Sequence, residues 1–236
     1  MQSKYKRILL KLSGEVLAGA EGKGLNFDTV TEICEIIKEC TELGVEIGLV
    51  VGGGNFWRGR SSGEMDRVRA DQMGMLATTI NSLALCDTLE QLGVKATVMT
   101  SLVMPQVAEI FTKREAVKHL ENGEVVIFGC GTGCPFFSTD TTAALRAAEI
   151  EADAMFMAKN VDYIYTADPK KDPNARKLEK IAASEVLAMN LKALDATATA
   201  FCLSNGMPIH VFGLKNAADI VKAVKGDLVG TVVTPD

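Results

Sequence analysis

Three glycine-bearing loops each follow an apolar, strand-like run: Lys11-Leu12-Ser13-Gly14, Gly52-Gly53-Gly54-Asn55 leading to Arg58, and Gly129-Cys130-Gly131-Thr132-Gly133. Glycine lets a backbone approach a ligand closely, and successive free N–H groups form an anion nest. A single loop of this kind is explained as well by a tight turn. Three on one sheet edge, with Lys11 and Arg58 beside them, favour binding of more than one phosphate group.

The charged residues near these loops each have two readings. Lys11 ends its strand either as a cation aimed at transferring phosphates or as a lysine whose stem covers the core. Asp140 opens a helix, where the dipole stabilises an acid; there it can also hold Lys11 in place or interact with a metal. Asp71 opens a long helical stretch, either as a cap or as an acceptor for sugar hydroxyls. Arg146 follows on the Asp140 helix and reads as structural.

Two widespread nucleotide motifs are absent. Gly14 and Gly19 have the spacing of a GxxxxGK[ST] loop, but Ala20 stands where lysine is required. Gly129, Gly131 and Gly133 are spaced GxGxG rather than GxGxxG. The chain is thus neither a P-loop NTPase nor a standard dinucleotide binder.

Elements must place these loops. Strand-like runs are expected at 7–12, 47–51, 96–99, 125–128, 154–158, 209–212 and 231–233. Helices are expected at 28–43 (Asp28 as N-cap, Gly44 closing it), 70–92, 113–121, 139–150, 183–189, 195–205 and 216–224. The segment 161–173 is turn-rich. Such alternation predicts an α/β protein: a three-layer α/β/α sandwich with a mostly parallel central sheet. Ligands then sit at the carboxyl ends of the strands. With 236 residues, a single domain spanning 1–236 is expected.

Composition excludes other classes. Hydrophobic residues make up 47% and charged ones 23%, which are ordinary globular values. A net charge of −5 argues against a nucleic-acid coat. Six cysteines without a CxxC pair, and two histidines, assemble no zinc site at recognised spacing. The apolar run near the start is too short for a signal peptide, and no stretch reads as a membrane span. A cytoplasmic protein with reduced cysteines is expected.

The ordered set YKRILLKLSGE, VVGGGNFWRG, MDRVRADQMGMLAT, GTGCPFFSTDTTAALRA and VDYIYTADPKKDP runs from first strand to last. It resembles the amino acid kinase superfamily and, within it, the bacterial uridylate kinases. The DQMGMLAT and GTG-x-PFF-[ST]-TD pair selects the latter. The resemblance implies phosphoryl transfer from MgATP to UMP, with Mg2+ carried by ATP and no direct protein ligand. It makes Lys11 the residue that stabilises the transferring phosphoryl group and Asp140 the organiser of the catalytic cations. ATP contacts fall to Lys11, Leu12, Ser13, Gly14, Gly54 and Arg58, and at the adenosine end to Lys159, Asn160, Tyr165 and Asp168. UMP contacts fall to Gly53, Asp71, Thr132, Gly133, Cys134, Pro135, Phe136, Phe137, Ser138 and Thr139. The segment Gly19, Ala20, Glu21, Gly22, Lys23, Gly24 matches one linked to activation by GTP, or is simply a flexible loop. UTP as inhibitor and a homohexamer are also implied, with an acceptor-binding part at about 1–150 and an ATP-binding part at about 151–236.

Two residues depart from the family pattern. Cys134 replaces an expected asparagine, and Tyr163 an expected glycine. If that turn requires a positive φ, tyrosine strains it. Two other functions stay open: a related kinase acting on a small carboxylate or carbamate, and a non-enzymatic nucleotide- or oxyanion-binding protein on the same fold.

Overall fold

The computed structural model describes residues 3–58, 63–159, 161–169, 171–191, 193–214 and 218–236. Its strands are β1 (Arg7–Leu12), β2 (Glu46–Val51), β3 (Ala96–Thr100), β4 (Glu109–Ile110), β5 (Val125–Gly129), β6 (Ala154–Lys159), β7 (Ile164–Tyr165), β8 (Lys177–Leu178), β9 (Lys180–Ala182), β10 (Ile209–Gly213) and β11 (Thr231–Thr234). Its α-helices are α1 (Phe27–Glu42), α2 (Arg67–Gln91), α3 (Lys113–Glu121), α4 (Thr139–Glu149), α5 (Ala183–Ala188), α6 (Ala196–Ser204) and α7 (Ala218–Lys225). A 3-10 segment, Gly14–Glu21, follows β1.

Among the described residues the central sheet has nine strands in the order β4-β3-β5-β2-β1-β6-β10-β11-β9. Its pairs are parallel except β10 with β11. β1 lies in the middle, flanked by β2 and β6. The chain first builds outward on the β2 side and then crosses β1 to build the β6 side, so β1 marks the switch point where ligands bind in such sheets.

The two faces follow from the period-2 alternation of a strand. Ile8, Leu10 and Leu12 face one apolar layer, shared with Val30, Ile33 and Ile37 of α1, Leu85 and Leu89 of α2, and Ile220 and Val224 of α7. Leu9 faces the other, shared with Ala116 and Leu120 of α3, Ala143 and Ala147 of α4, and Ala198 and Cys202 of α6. The three-layer expectation holds.

Local differences have local causes. Asn26, not Asp28, caps α1, its side chain accepting from Thr29 N at 2.9 Å; Asp28 sits in the first turn. Gly44 does adopt a positive φ, 83°. α2 starts three residues earlier than expected, capped by Asp66, which moves Asp71 off the helix start. The strands β4, β7, β8 and β9 have two or three residues each, too few to show periodicity. No described helix is long and apolar enough to cross a membrane.

Candidate active site

Lys11 continues the alternation of Leu9, so it points to the α4 side at the very end of β1. On the adjacent strand, Met155 and Met157 face that same layer, which puts Lys159 there too. α4 packs against both strands, and its first turn carries Asp140. The result is a three-residue cluster: Lys11 Nζ lies 3.0 Å from Asp140 Oδ1, and Lys159 Nζ lies 2.8 Å from Asp140 Oδ2. Lys159 Nζ also donates to Ala193 O at 2.6 Å. Burial pushes the Asp140 carboxyl up, but Lys11 and Lys159 outweigh it and hold the group below its ordinary value of 3.8. Two cations on one carboxylate leave a net positive charge in a largely buried place, which an anion completes.

The first two glycine loops pack directly on one another. A Cβ at Gly14 would lie 2.2 Å from Gly52 O, so this glycine is required by loop-to-loop contact as well as by any ligand. Asn55 and Asn81 lock the arrangement: Asn81 Nδ2 donates to Gly52 O at 2.7 Å and to Asn55 Oδ1 at 2.8 Å. Arg58 is ion-paired with Glu15. Asn55 also ties this loop to the segment 19–24, through Asn55 Nδ2 to Gly24 O (2.7 Å) and Gly24 N to Asn55 O (3.1 Å).

The third loop is bent sharply. Cys130, Gly131, Gly133 and Phe136 all have positive φ, 61°, 57°, 78° and 70°. Thr78 Oγ1 accepts from Cys130 N at 2.9 Å, and Asp71 Oδ2 accepts from Phe136 N and Arg67 Nε, both at 2.8 Å. Asp71 is therefore no cap, as a helix-start reading would have it: from the second turn of α2 it clamps the far end of the loop.

Three cavities follow each other along the carboxyl edge of the sheet. The first, about 360 Å³, is lined by Lys11, Ser13, Gly14, Gly53, Gly54, Arg58, Asp71, Thr132, Cys134, Phe137, Ser138 and Thr139. The second, about 590 Å³, is lined by Lys11, Ser138, Thr139, Asp140 and Lys159 with Asn190, Leu191 and Asp195. The third, about 480 Å³, holds Tyr163, Tyr165 and Asp168 beside Asn190 and Leu191. Lys11 thus belongs to the wall that the first two share.

Other expected residues fall elsewhere. The Leu12 side chain is fully buried in the apolar layer facing α1, so any contact with a nucleotide is through its backbone. Gly133, Pro135 and Phe136 do not line the first cavity; Phe136 is exposed, with the Arg67 guanidinium 5.4 Å from its ring centroid. Asn160 lies outside the described residues. Tyr163 does not take a positive φ, so the turn is unstrained, and its ring carries Lys177 Nζ at 4.5 Å.

Residues 6–213 match the model of the Amino acid kinase family. The chain belongs to this family. The structure is similar to that of UMP kinase from Bacillus anthracis, with a TM-score of 0.95 and 38% identity, covering 98% of this chain and 97% of that one. UMP kinase from Ureaplasma parvum gives 0.92 and 36%, over 99% and 100% of the two chains. Uridylate kinase from Archaeoglobus fulgidus gives 0.74 and 26%, over 96% and 99%.

In this amino acid kinase family member the cavities are also lined by residues that the sequence did not single out. Trp57, Arg67, Gly74, Met75 and Thr78 line the first cavity, and Asp195 the second. All but Trp57 and Asp195 lie in the quoted stretch around Asp71, but nothing in their types separates them from an ordinary helix face. Asp195 caps α6, accepting from Ala198 N at 3.0 Å, and also accepts from Thr141 Oγ1 at 3.3 Å, which joins the starts of α4 and α6.

Proposed function

We propose that the chain transfers the γ-phosphoryl group of MgATP to UMP, giving ADP and UDP. The observation that carries this reading is the Lys11–Asp140–Lys159 cluster at the wall between two cavities. The acceptor takes the side of the first cavity formed by Asp71, Thr132, Cys134 and Phe137; the ATP phosphates take the second cavity and the side of the first formed by Ser13, Gly14, Gly54 and Arg58; and the adenosine end takes the third, beside Tyr165 and Asp168. The transferring group then passes Lys11. Phosphoryl transfer asks the protein for positioning and for charge stabilisation on phosphate oxygens, with little covalent work. Lys11 supplies the charge; Asp140 keeps both lysine side chains extended toward the passage. Both Asp140 oxygens are engaged by lysines, so Mg2+ enters on the nucleotide phosphates.

Asp71 reads the ribose hydroxyls in this proposal. A carboxylate has about four acceptor positions, so it can do this while clamping Phe136 N. Cys134 replaces an amide that both donates and accepts well with a thiol that does both weakly. UTP shares the base and ribose of UMP and competes for the first cavity. A GTP effect would act through the segment 19–24; the bond from its end at Gly24 to the Asn55 loop supports that reading. Six free cysteines fit a reducing compartment such as the cytoplasm.

Self-association fits α2. At its middle the usual pattern is reversed: Thr78, Thr79, Asn81 and Ser82 are buried, whereas Met73, Leu76, Ile80 and Leu83 are exposed. The exposed four recur every three or four residues, the spacing of a helix-packing seam. An antiparallel second copy would set Arg69 near Asp87 of its partner. We place the dimer contact of a larger assembly on this seam.

The deciding assay is steady-state ADP production from MgATP with UMP, CMP, dUMP, aspartate, acetylglutamate or carbamate in separate reactions. ADP release that depends on UMP, with UDP as co-product, is expected. Turnover only with an acid would move the first cavity to another acceptor, and no turnover at all would leave a binding protein.

A further inference from the structure

We infer that Arg146, acting through Ser101, is a positioning residue for the acceptor loop, an inference that rests on reading the first cavity as the acceptor site. Arg146 is 4% exposed and lies under the loop, on the layer between α4 and the sheet. Its guanidinium carbon sits 3.8 Å from the ring centroid of Phe111 and 5.9 Å from that of Phe128. Nη1 pairs with Glu149, and Nη2 donates to Ser101 Oγ at 2.7 Å. Ser101 Oγ in turn donates to Gly131 O at 2.7 Å.

The direction of this relay is fixed by chemistry. A guanidinium only donates, so the Ser101 hydroxyl accepts from it and has its one proton left for Gly131 O. Bonds in such a chain polarise one another. Gly131 is thereby pinned inside the run of positive φ angles that starts at Cys130. Ser101 also limits the loop sterically: a Cβ at Gly133 would lie 3.0 Å from Ser101 Cβ. Thr78 holds the loop from the α2 side at Cys130 N, and the Arg146–Ser101 relay holds it from the opposite side.

Packing alone does not account for the arginine. Burying a guanidinium costs several kcal/mol, and an apolar side chain of similar volume is often no less stable. The Arg146 Nε is buried with no hydrogen-bond partner, a further cost. The return is loop geometry. Neither Arg146 nor Ser101 lines the cavity, so the effect on the acceptor passes through the loop.

The test compares Ser101→Ala, Ser101→Thr and Arg146→Lys with the wild-type full chain. Two readouts are needed: hydrogen exchange of residues 130–137 without ligand, and the KM values for UMP and ATP. Ser101→Ala removes one hydrogen bond and no large side chain, so it is expected to fold. It should speed exchange in the loop and raise the UMP KM about five- to tenfold, leaving the ATP KM within about twofold. Ser101→Thr should restore most of both, and Arg146→Lys should resemble Ser101→Ala because lysine lacks the fork. Unchanged loop exchange and unchanged UMP KM in Ser101→Ala would overturn the inference, as would equal rises for UMP and ATP. Faster loop exchange in a wild-type background that ignores UMP would keep the relay and defeat the functional reading instead.

Discussion

The Lys11 ammonium meets the Asp140 carboxylate at 3.0 Å, where the end of β1 faces the first turn of α4. Neither residue would stand there without the other's element: Lys11 is turned toward α4 by the strand period, and Asp140 is put in reach by the packing of α4 on β1. The pair predicts unequal phenotypes. Lys11→Met should lower kcat by about a hundred- to a thousandfold, or ~3–4 kcal/mol, as for loss of one group stabilising developing charge. Asp140 keeps Lys159, so the fold should survive. Asp140→Ala leaves two nearly buried ammonium groups without their carboxylate and should lose stability as well as turnover. Added phosphate should recover part of the lost Tm by binding between the lysines. Wild-type turnover in Lys11→Met would remove it from the mechanism.

Gly14→Ala separates loop packing from ligand contact. The new Cβ would meet backbone, Gly52 O at 2.2 Å, so no side chain can swing away. A cost of about 1–3 kcal/mol is expected, as for other overpacked sites, read as a Tm several degrees lower without ligand. An unchanged Tm would mean the loops tolerate separation.

Much of the fold was legible in the sequence, for physical reasons. The core strands announce themselves through apolar runs bounded by glycine, and the loop residues through their order along the chain. The contact that Asp71 makes was not legible, because its partner, Phe136 N, lies 65 residues away. Asp28 and Asn26 are both good caps, and only the backbone at Asn26 decides between them. Arg146 reads as structural in sequence because its meaning depends on Ser101, which belongs to another strand end. Tyr163 looked strained only on the assumption that its position needs a positive φ, and it does not take one.

The seam on α2 predicts an assembly that charge can break. Leu76→Glu with Ile80→Glu changes two exposed positions, 49% and 47% accessible, and should leave the monomer's core intact. Sedimentation should shift toward the smallest species, with near-UV circular dichroism unchanged. An unchanged sedimentation profile would place the contact elsewhere.

Thiol labelling should single out Cys134. It is exposed and lines the first cavity. Burial pushes the thiols of Cys34, Cys40 and Cys202 up to about 12 and that of Cys86 to about 11, which starves them of thiolate. Brief iodoacetamide treatment should alkylate Cys134 first, as read by peptide mass mapping, and UMP should slow the reaction. Equal labelling with and without UMP would detach Cys134 from the acceptor site.

Stability should fall on mild acidification because of His210, far from the chemistry. This histidine lies on β10 with its ring 4.8 Å from that of Phe156, and the Tyr5 hydroxyl is 3.1 Å from its Nε2. Burial first, and the charge of Lys4 second, lower its pKa from 6.5 to about 4. The unfolded chain therefore binds a proton between those values that the folded chain does not. Stability contributed by the neutral ring is complete above about pH 6.5 and is lost as pH falls toward about 4. The full span is on the order of 3 kcal/mol at 1.36 kcal/mol per unit. Asp140 moves in a lower window: its pKa lies below 3.8, so its contribution persists through this range and fades only in stronger acid. A Tm series from pH 7 to pH 4.5 should slope downward in the wild type and flatten in His210→Phe, which keeps the ring and removes the proton site. A slope equally steep in the variant would assign the acid sensitivity to other groups.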